Sequence, residues 1–249
     1  MFARRLSRIF RQDHRALIVA FDHGLTEGPA RGMEHPGEVL TKIAAGGADA
    51  ILTSYGVATR FEREIASLGL ILRLDLGGTK IGKMGPGKQA FQLEQALRLG
   101  ADAVAISAFP GTPEEADTLR MLAGVIAEAH SWGVPVMAEM QPGGFDAGPN
   151  FFTTENVAIS ARIAAELGAD WVKVPYTTEF NRVVEHCYVP VVILGGAKAN
   201  HERMLLESAQ GAIEAGAAGV AVGRNIFQAY DPAVTTAALA AIIHPKSAD

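Results

Sequence analysis

Residues 171–176 read WVKVPY, a run fit for a protein interior except for the lysine at its third position. An ammonium ion is costly to take out of water without a partner, so a lysine in such a run points to a task. Alternation along an extended segment sends Trp171, Lys173 and Pro175 to one face and Val172 and Val174 to the other. An amine held among apolar side chains loses proton affinity and becomes nucleophilic near neutral pH, the state that attacks a carbonyl and forms a Schiff base. The competing reading of Lys173 is an ion pair with a buried carboxylate that serves packing alone. Such pairs stabilise less than apolar residues of similar volume, which favours the chemical reading.

Two further groups of residues could serve that amine. In ALIVAFDHG, Asp22 can move protons around an imine or accept from a substrate hydroxyl, and His23 can act directly or as a hydrogen-bonding support. Asp75, Lys80 and Glu139 are further ionisable candidates. In GGAK (195–198) and GRN (223–225), small residues expose backbone N–H groups, with Lys198 and Arg224 beside them. Gly195, Gly196, Lys198, Gly223 and Arg224 thus form a candidate phosphate site, and the substrate is expected to carry a phosphoryl group.

All of these positions must be brought together by the elements that carry them. A helical segment ending in Gly, a short turn and a β-rich apolar run recur in AGGADAILTS, RLGADAVAIS, SWGVPVMAEM, ELGADWVKVP and EAGAAGVAVG. Apolar runs occupy 16–22, 50–55, 70–76, 103–109, 134–140, 171–175, 189–194 and 218–222, and helical spacing occupies segments between them such as 113–132 and 154–168. Strands alternating with helices imply parallel pairing through right-handed crossovers. Eight such units in 249 residues predict an α/β fold, a single-domain (β/α)8 TIM barrel over 1–249. An open doubly wound sheet is the rival, but FDHGLTEGPARG after the first run lacks the G-x-G-x-x-G spacing of its dinucleotide loop. In the barrel, the C-terminal strand ends face the active site, and the residues singled out above collect there.

Composition narrows the partners. With 22 Lys and Arg against 27 Asp and Glu, the net charge of −5 gives no general attraction to nucleic acid or to an anionic membrane, and apolar runs are too short to span a bilayer. Cys187 is the sole cysteine, so no internal disulfide forms and a reducing cytoplasm suits the chain. Five arginines in MFARRLSRIFRQDHR suggest a targeting segment, but the adjoining ALIVAFDHG already reads as a strand with acidic chemistry at its end. Residues 1–14 are expected to form an N-terminal helix capping one end of the fold or meeting a partner subunit. Seven histidines are present, yet only His23 lies near a strand end and no H-x-H or H-x-x-x-H spacing occurs, so no metal is expected.

Taken together, RIF…ALIVAFDHG, GADAILTSYG, GADAVAISAFPG, GADWVKVPYT, VPVVILGGAK and GVAVGRNIFQ resemble the archaeal-type class I aldolases. This group holds the DhnA-like fructose-bisphosphate aldolases, with an autoinducer-2 thiolase and a 2-amino-3,7-dideoxy-heptulosonate synthase among its relatives. The resemblance covers nearly the whole chain. It implies a (β/α)8 barrel in homo-oligomers built as pentamers or decamers, with no cofactor beyond a covalent lysine imine. It places the imine on Lys173, the substrate-contacting aspartate on Asp22, and the phosphate on the two glycine loops. One departure stands out. Where the group commonly ends its fifth strand with Tyr-Pro-Arg-Gly, the tyrosine serving as proton donor and acceptor, this chain reads MQPGG. Gln141 occupies the tyrosine position and supplies no proton at neutral pH, leaving Glu139, His23 or a water for that role.

The expected activity is therefore a Schiff-base aldolase that cleaves or forms a carbon–carbon bond in a phosphorylated ketose, giving a dihydroxyacetone-phosphate-like ketone and an aldehyde. A thiolase using the same lysine to pass an acyl group from a phosphorylated diketone to coenzyme A is the alternative. A metal-assisted aldolase and a sugar-phosphate binder without turnover are the remaining classes.

Overall fold

The computed structural model describes residues 2–82, 85–145, 147–195 and 202–245. Its strands, in chain order, are β1 (Ala16–Phe21), β2 (Ala50–Thr53), β3 (Gly69–Arg73), β4 (Asp75–Leu76), β5 (Lys88–Gln89), β6 (Ala103–Ala108), β7 (Val136–Met140), β8 (Trp171–Val174), β9 (Val191–Leu194) and β10 (Gly219–Val222). Eight of them close into a parallel barrel in the order β1-β10-β9-β8-β7-β6-β3-β2, while β4 and β5 pair as a separate antiparallel ribbon. The fold is thus a (β/α)8 barrel. The longer helices that wrap it are α3 (Pro36–Ala45), α6 (Glu115–Ser131), α7 (Thr154–Glu166), α9 (Glu202–Glu214) and α11 (Pro232–Ile243). Shorter ones are α1 (Ala3–Leu6), α2 (Gly24–Glu27), α4 (Tyr55–Arg60), α5 (Leu93–Arg98), α8 (Phe180–Glu185) and α10 (Arg224–Phe227). Among the described residues no helix is long and apolar enough to cross a membrane.

The repeated Gly-Ala-Asp has a structural cause in two parts. Gly100 (φ 73°) and Gly168 (φ 97°) take the left-handed conformation that ends the preceding helix. The aspartate then locks the next strand to its neighbour: Asp49 accepts from Leu17 N–H at 2.6 Å, Asp102 from Leu70 N–H at 3.0 Å and Asp170 from Val136 N–H at 2.7 Å. Each also donates its own N–H to the carbonyl of that same residue. These carboxylates satisfy donors at the barrel floor that would otherwise be buried without partners.

The arginine-rich start of the chain meets that floor. Arg11 reaches Asp49 at 2.5 Å, Arg8 reaches Asp102 at 3.4 Å, and Arg5 donates to the Ala101 carbonyl at 2.7 Å. The helix expected over 1–14 is shorter than that: α1 ends at Leu6 and His14 takes φ 60°, which no helix accommodates. The turns between them let Ile9, which is fully buried, and Phe10 enter the barrel floor, where Phe10 meets Trp171 edge to face with ring centroids 5.6 Å apart.

Inside the barrel, Ile18, Leu52, Ile71, Met137, Trp171 and Val192 fill the lower lumen together with alanines 16, 20, 50, 103, 105 and 221. The intervening residues, including Val172 and Val174, pack outward against the helices. This alternation separates a narrow lumen core from a broad outer core, and it leaves the upper lumen, above small alanines, free for long polar side chains.

Candidate active site

Strand register builds the site. Lys173 of β8 lies beside Glu139 of β7, Glu139 lies beside Ser107 of β6, and Arg73 of β3 lies beside Ala105, two residues below Ser107. Because side chains alternate, Lys173, Glu139, Ser107 and Arg73 all enter the lumen. Lys173 is 5% exposed and its Nζ stands 2.7 Å from Glu139 Oε1. The expectation of an amine surrounded by apolar groups is thereby corrected: closing the barrel sets a carboxylate in the adjacent strand directly against it.

The other Glu139 oxygen accepts from Arg73 Nη2. Arg73 also donates through Nε to Asp22 Oδ2 at 2.9 Å and through Nη1 to Ser107 Oγ at 2.8 Å and Asp75 Oδ1 at 3.3 Å. Burial disfavours the charged forms of Glu139 and Arg73, but each is outweighed by its partners. Lys173 and Arg73 hold the Glu139 carboxyl well below the ordinary carboxylate range, and Glu139, Asp75 and Asp22 hold the Arg73 guanidinium above its ordinary value.

Asp22 and His23 follow β1, and both line the cavity, although strict strand alternation would send neighbouring side chains to opposite faces. The His23 Nδ1 sits 3.6 Å from Asp22 Oδ1 and its ring meets Phe227 edge to face. Burial pushes this imidazole below its ordinary value; Asp22 opposes the shift while Lys173 and Arg224 add to it, so His23 is neutral at neutral pH. Gln141 is 6% exposed and also faces the cavity.

The two loops beyond β9 and β10 are tied together by Asn225, whose Nδ2 donates to the Gly195 carbonyl at 2.8 Å. Gly223 is required for close packing: a methyl group there would lie 2.4 Å from His23 Cε1 and 2.5 Å from the Ala20 carbonyl oxygen. Arg224 approaches Glu27 at 3.8 Å, and Glu27 also meets Lys80 at 3.3 Å. Gly196 and Lys198, the other members of the expected phosphate site, lie outside the described residues. Asp22, His23, Arg73, Glu139, Lys173 and Arg224 are among the residues lining a cavity of about 760 Å³ at the C-terminal mouth of the barrel. Among the described residues no three His, Cys, Asp or Glu side chains gather at a metal-holding spacing.

A family model described as DeoC/LacD family aldolase matches residues 16–229. The chain belongs to the DeoC/LacD aldolase family. It is 37% identical over 243 residues to the 2-amino-3,7-dideoxy-D-threo-hept-6-ulosonate synthase of Halobacterium salinarum, spanning 96% of this chain and 90% of that protein. It is 38% identical over 245 residues to the corresponding synthase 1 of Archaeoglobus fulgidus, spanning 97% and 90%. A solved Schiff-base-forming fructose-1,6-bisphosphate aldolase shares the fold with a TM-score of 0.86 at 32% identity, covering 98% of this chain and 100% of that one. This DeoC/LacD aldolase is an enzyme of the class I aldolase type.

Sequence reasoning misses two polar residues of the aldolase's lumen, Arg73 and Ser107. Their signal is the same alternation that places Lys173, since Leu70, Leu72 and Leu74 pack outward while Ile71, Arg73 and Asp75 do not. Lys80, by contrast, is an exposed side chain at the rim of this aldolase and does not join the buried network.

Proposed function

We propose that the enzyme forms or cleaves a carbon–carbon bond in a phosphorylated ketose through an imine on Lys173. The observation that carries this reading is a buried lysine at the C-terminal mouth of the barrel, its amine 2.7 Å from a carboxylate able to relay its protons. The likeness to a Schiff-base-forming fructose-1,6-bisphosphate aldolase supports it.

In the cleavage direction, Lys173 gives a proton to Glu139 and adds to the keto carbon. Glu139 returns a proton as the carbinolamine loses water to the iminium. Asp22 then takes the proton of the hydroxyl on the fourth carbon; the bond between the third and fourth carbons breaks, and its electron pair passes into the enamine. The aldehyde leaves, Asp22 returns its proton to the third carbon, and water releases the ketone and restores the amine. Synthesis runs these steps in reverse. Gly195, Gly223 and Arg224, with Gly196 and Lys198, are the proposed anchor for the phosphoryl group.

Identity of 37–38% to the two synthases supports a second reading, in which the same imine builds a seven-carbon amino sugar acid. Gln141 in place of a family tyrosine also weighs against a plain fructose-1,6-bisphosphate lyase.

Reduction with borohydride in the presence of candidate phosphorylated ketoses, followed by peptide mass analysis, tests the reading. A reduced adduct on Lys173, lost in Lys173→Met, is expected; an adduct on any other residue overturns the assignment. A product that appears only with coenzyme A would transfer the lysine to thiolase chemistry. Assembly of identical copies is proposed by family likeness, and a single-chain mass in light scattering would reject it.

A further inference from the structure

Arg73 is 6% exposed, and its four contacts engage all three guanidinium nitrogens with protein acceptors on Asp22, Asp75, Ser107 and Glu139. A guanidinium meant for a substrate phosphate would keep its fork toward the cavity; this one is committed to its neighbours. Its partners come from four parts of the barrel mouth: the residue after β1, the start of β4, β6 and β7. Glu139, for its part, has two oxygens with different partners: Oε2 on Arg73 and Oε1 on Lys173.

Resting on the reading of Lys173 as the imine-forming amine, we infer that Arg73 is a positioning residue: it holds one oxygen of Glu139 so that the other stays aimed at Lys173 throughout imine formation. The carboxylate has two side-chain torsions beyond its first, and without a second anchor it would rotate away once the lysine loses its charge. The planar fork of an arginine supplies that anchor while Asp22, Asp75 and Ser107 fix the fork itself. The groups that face Glu139 are Arg73 from β3, Ser107 from β6 and Lys173 from β8; Asp22 and Asp75 reach it through Arg73, and His23 lies beside Lys173. Removing Arg73 therefore takes away one of the two cations at this carboxylate.

The test isolates imine formation. Dihydroxyacetone phosphate is trapped with cyanoborohydride across a pH series in the wild type, Arg73→Gln, Arg73→Lys, Glu139→Gln and Arg73→Gln/Glu139→Gln. In Arg73→Gln the trapping rate at neutral pH falls at least tenfold, and its acid limb moves up by about a unit or more as Glu139 loses a cation. Arg73→Lys keeps the acid limb near its wild-type place while remaining slower, because an ammonium cannot span the same acceptors. In the Glu139→Gln background, Arg73→Gln has no further effect on rate, since a residue acting through Glu139 has nothing left to position. A merely structural arginine would lower the rate equally in both backgrounds, and that result overturns the inference; an acid limb that stays in place in Arg73→Gln also overturns it, since Glu139 would then not feel the arginine. Should Arg73→Gln not fold, the same comparison is made with Arg73→Lys, where equal slowing with and without Glu139 is the overturning result. Failure of the wild type to trap the probe on Lys173 rejects the imine reading and this inference together; trapping with additive effects rejects the inference alone.

Discussion

Replacing Glu139 by glutamine keeps the side-chain volume and removes one negative charge from between two cations. Glu139 is 4% exposed, so solvent does little to screen the charges around it. Breaking a buried ion pair from one side costs about 3–5 kcal/mol, most of it from the partner left behind. Arg73 retains Asp22 and Asp75, whereas no second carboxylate contact to Lys173 is found among the described residues. The loss should therefore fall near the lower bound, about 3 kcal/mol, and at roughly 2–4 °C per kcal/mol for a chain of this length Tm falls by about 6–12 °C. Thermal unfolding followed by circular dichroism at neutral pH measures it. In a Lys173→Met background the same substitution should cost much less, because the orphaned ammonium is gone. A Glu139→Gln protein melting within a degree of wild type, or losing as much stability without Lys173 as with it, would refute the claim that this carboxylate balances the buried amine.

His244 sits between Asp13 at 2.7 Å and Asp49 at 2.8 Å, and although burial opposes its charge these partners raise its pKa. Its stabilising contribution is full below the unfolded value of about 6.5 and is lost as pH climbs through the higher folded value, so the Tm difference between wild type and His244→Gln should shrink on going from pH 6 toward pH 9; a difference that grows contradicts the assignment. Gly223→Ala forces a methyl group against a backbone oxygen at 2.5 Å, and urea unfolding should show a loss of about 1–3 kcal/mol together with weaker binding of the phosphorylated substrate. Ile9→Ala, far from the mouth, should lose about 2–4 kcal/mol in the same unfolding assay while kcat stays within a factor of two, which separates the floor plug from the chemistry.

How far the sequence can be read depends on which information is local. The eight strands and the lumen direction of Lys173 are legible because alternation within one strand decides them. The same rule, applied to LILRLDL, puts Arg73 on one face with Asp75; looking only for a carboxylate near the strand's end finds Asp75 and misses the arginine. The pairing of Lys173 with Glu139 is not legible, since it depends on the register between β7 and β8, which only barrel closure fixes. The arginines at the start mark a basic segment, but their targets, Asp49, Asp102 and the Ala101 carbonyl, are set by tertiary contacts with the barrel floor. So too with Gly-Ala-Asp: its glycine announces a helix end locally, whereas its carboxylate serves a neighbouring strand that the local pattern does not name.

On the proposed reading of Lys173 as the imine-forming amine, the charge pattern of the lumen would suit an imine better than the intermediate that precedes it. Two cations, Lys173 and Arg73, face three carboxylates, Asp22, Asp75 and Glu139, with His23 neutral beside them. An iminium on Lys173 carries the same positive charge as the ammonium it replaces and meets the same Glu139 oxygen, so the balance of the pocket is kept. A neutral carbinolamine removes one cation and leaves the buried carboxylates less compensated, which raises the proton affinity of Glu139 at the step where the leaving hydroxyl needs a proton. Donating that proton releases water, restores the cation and returns Glu139 to its paired state. On that reading the fixed network opposes the carbinolamine and favours its collapse, provided that Arg73 keeps the carboxylate in place while the lysine is uncharged.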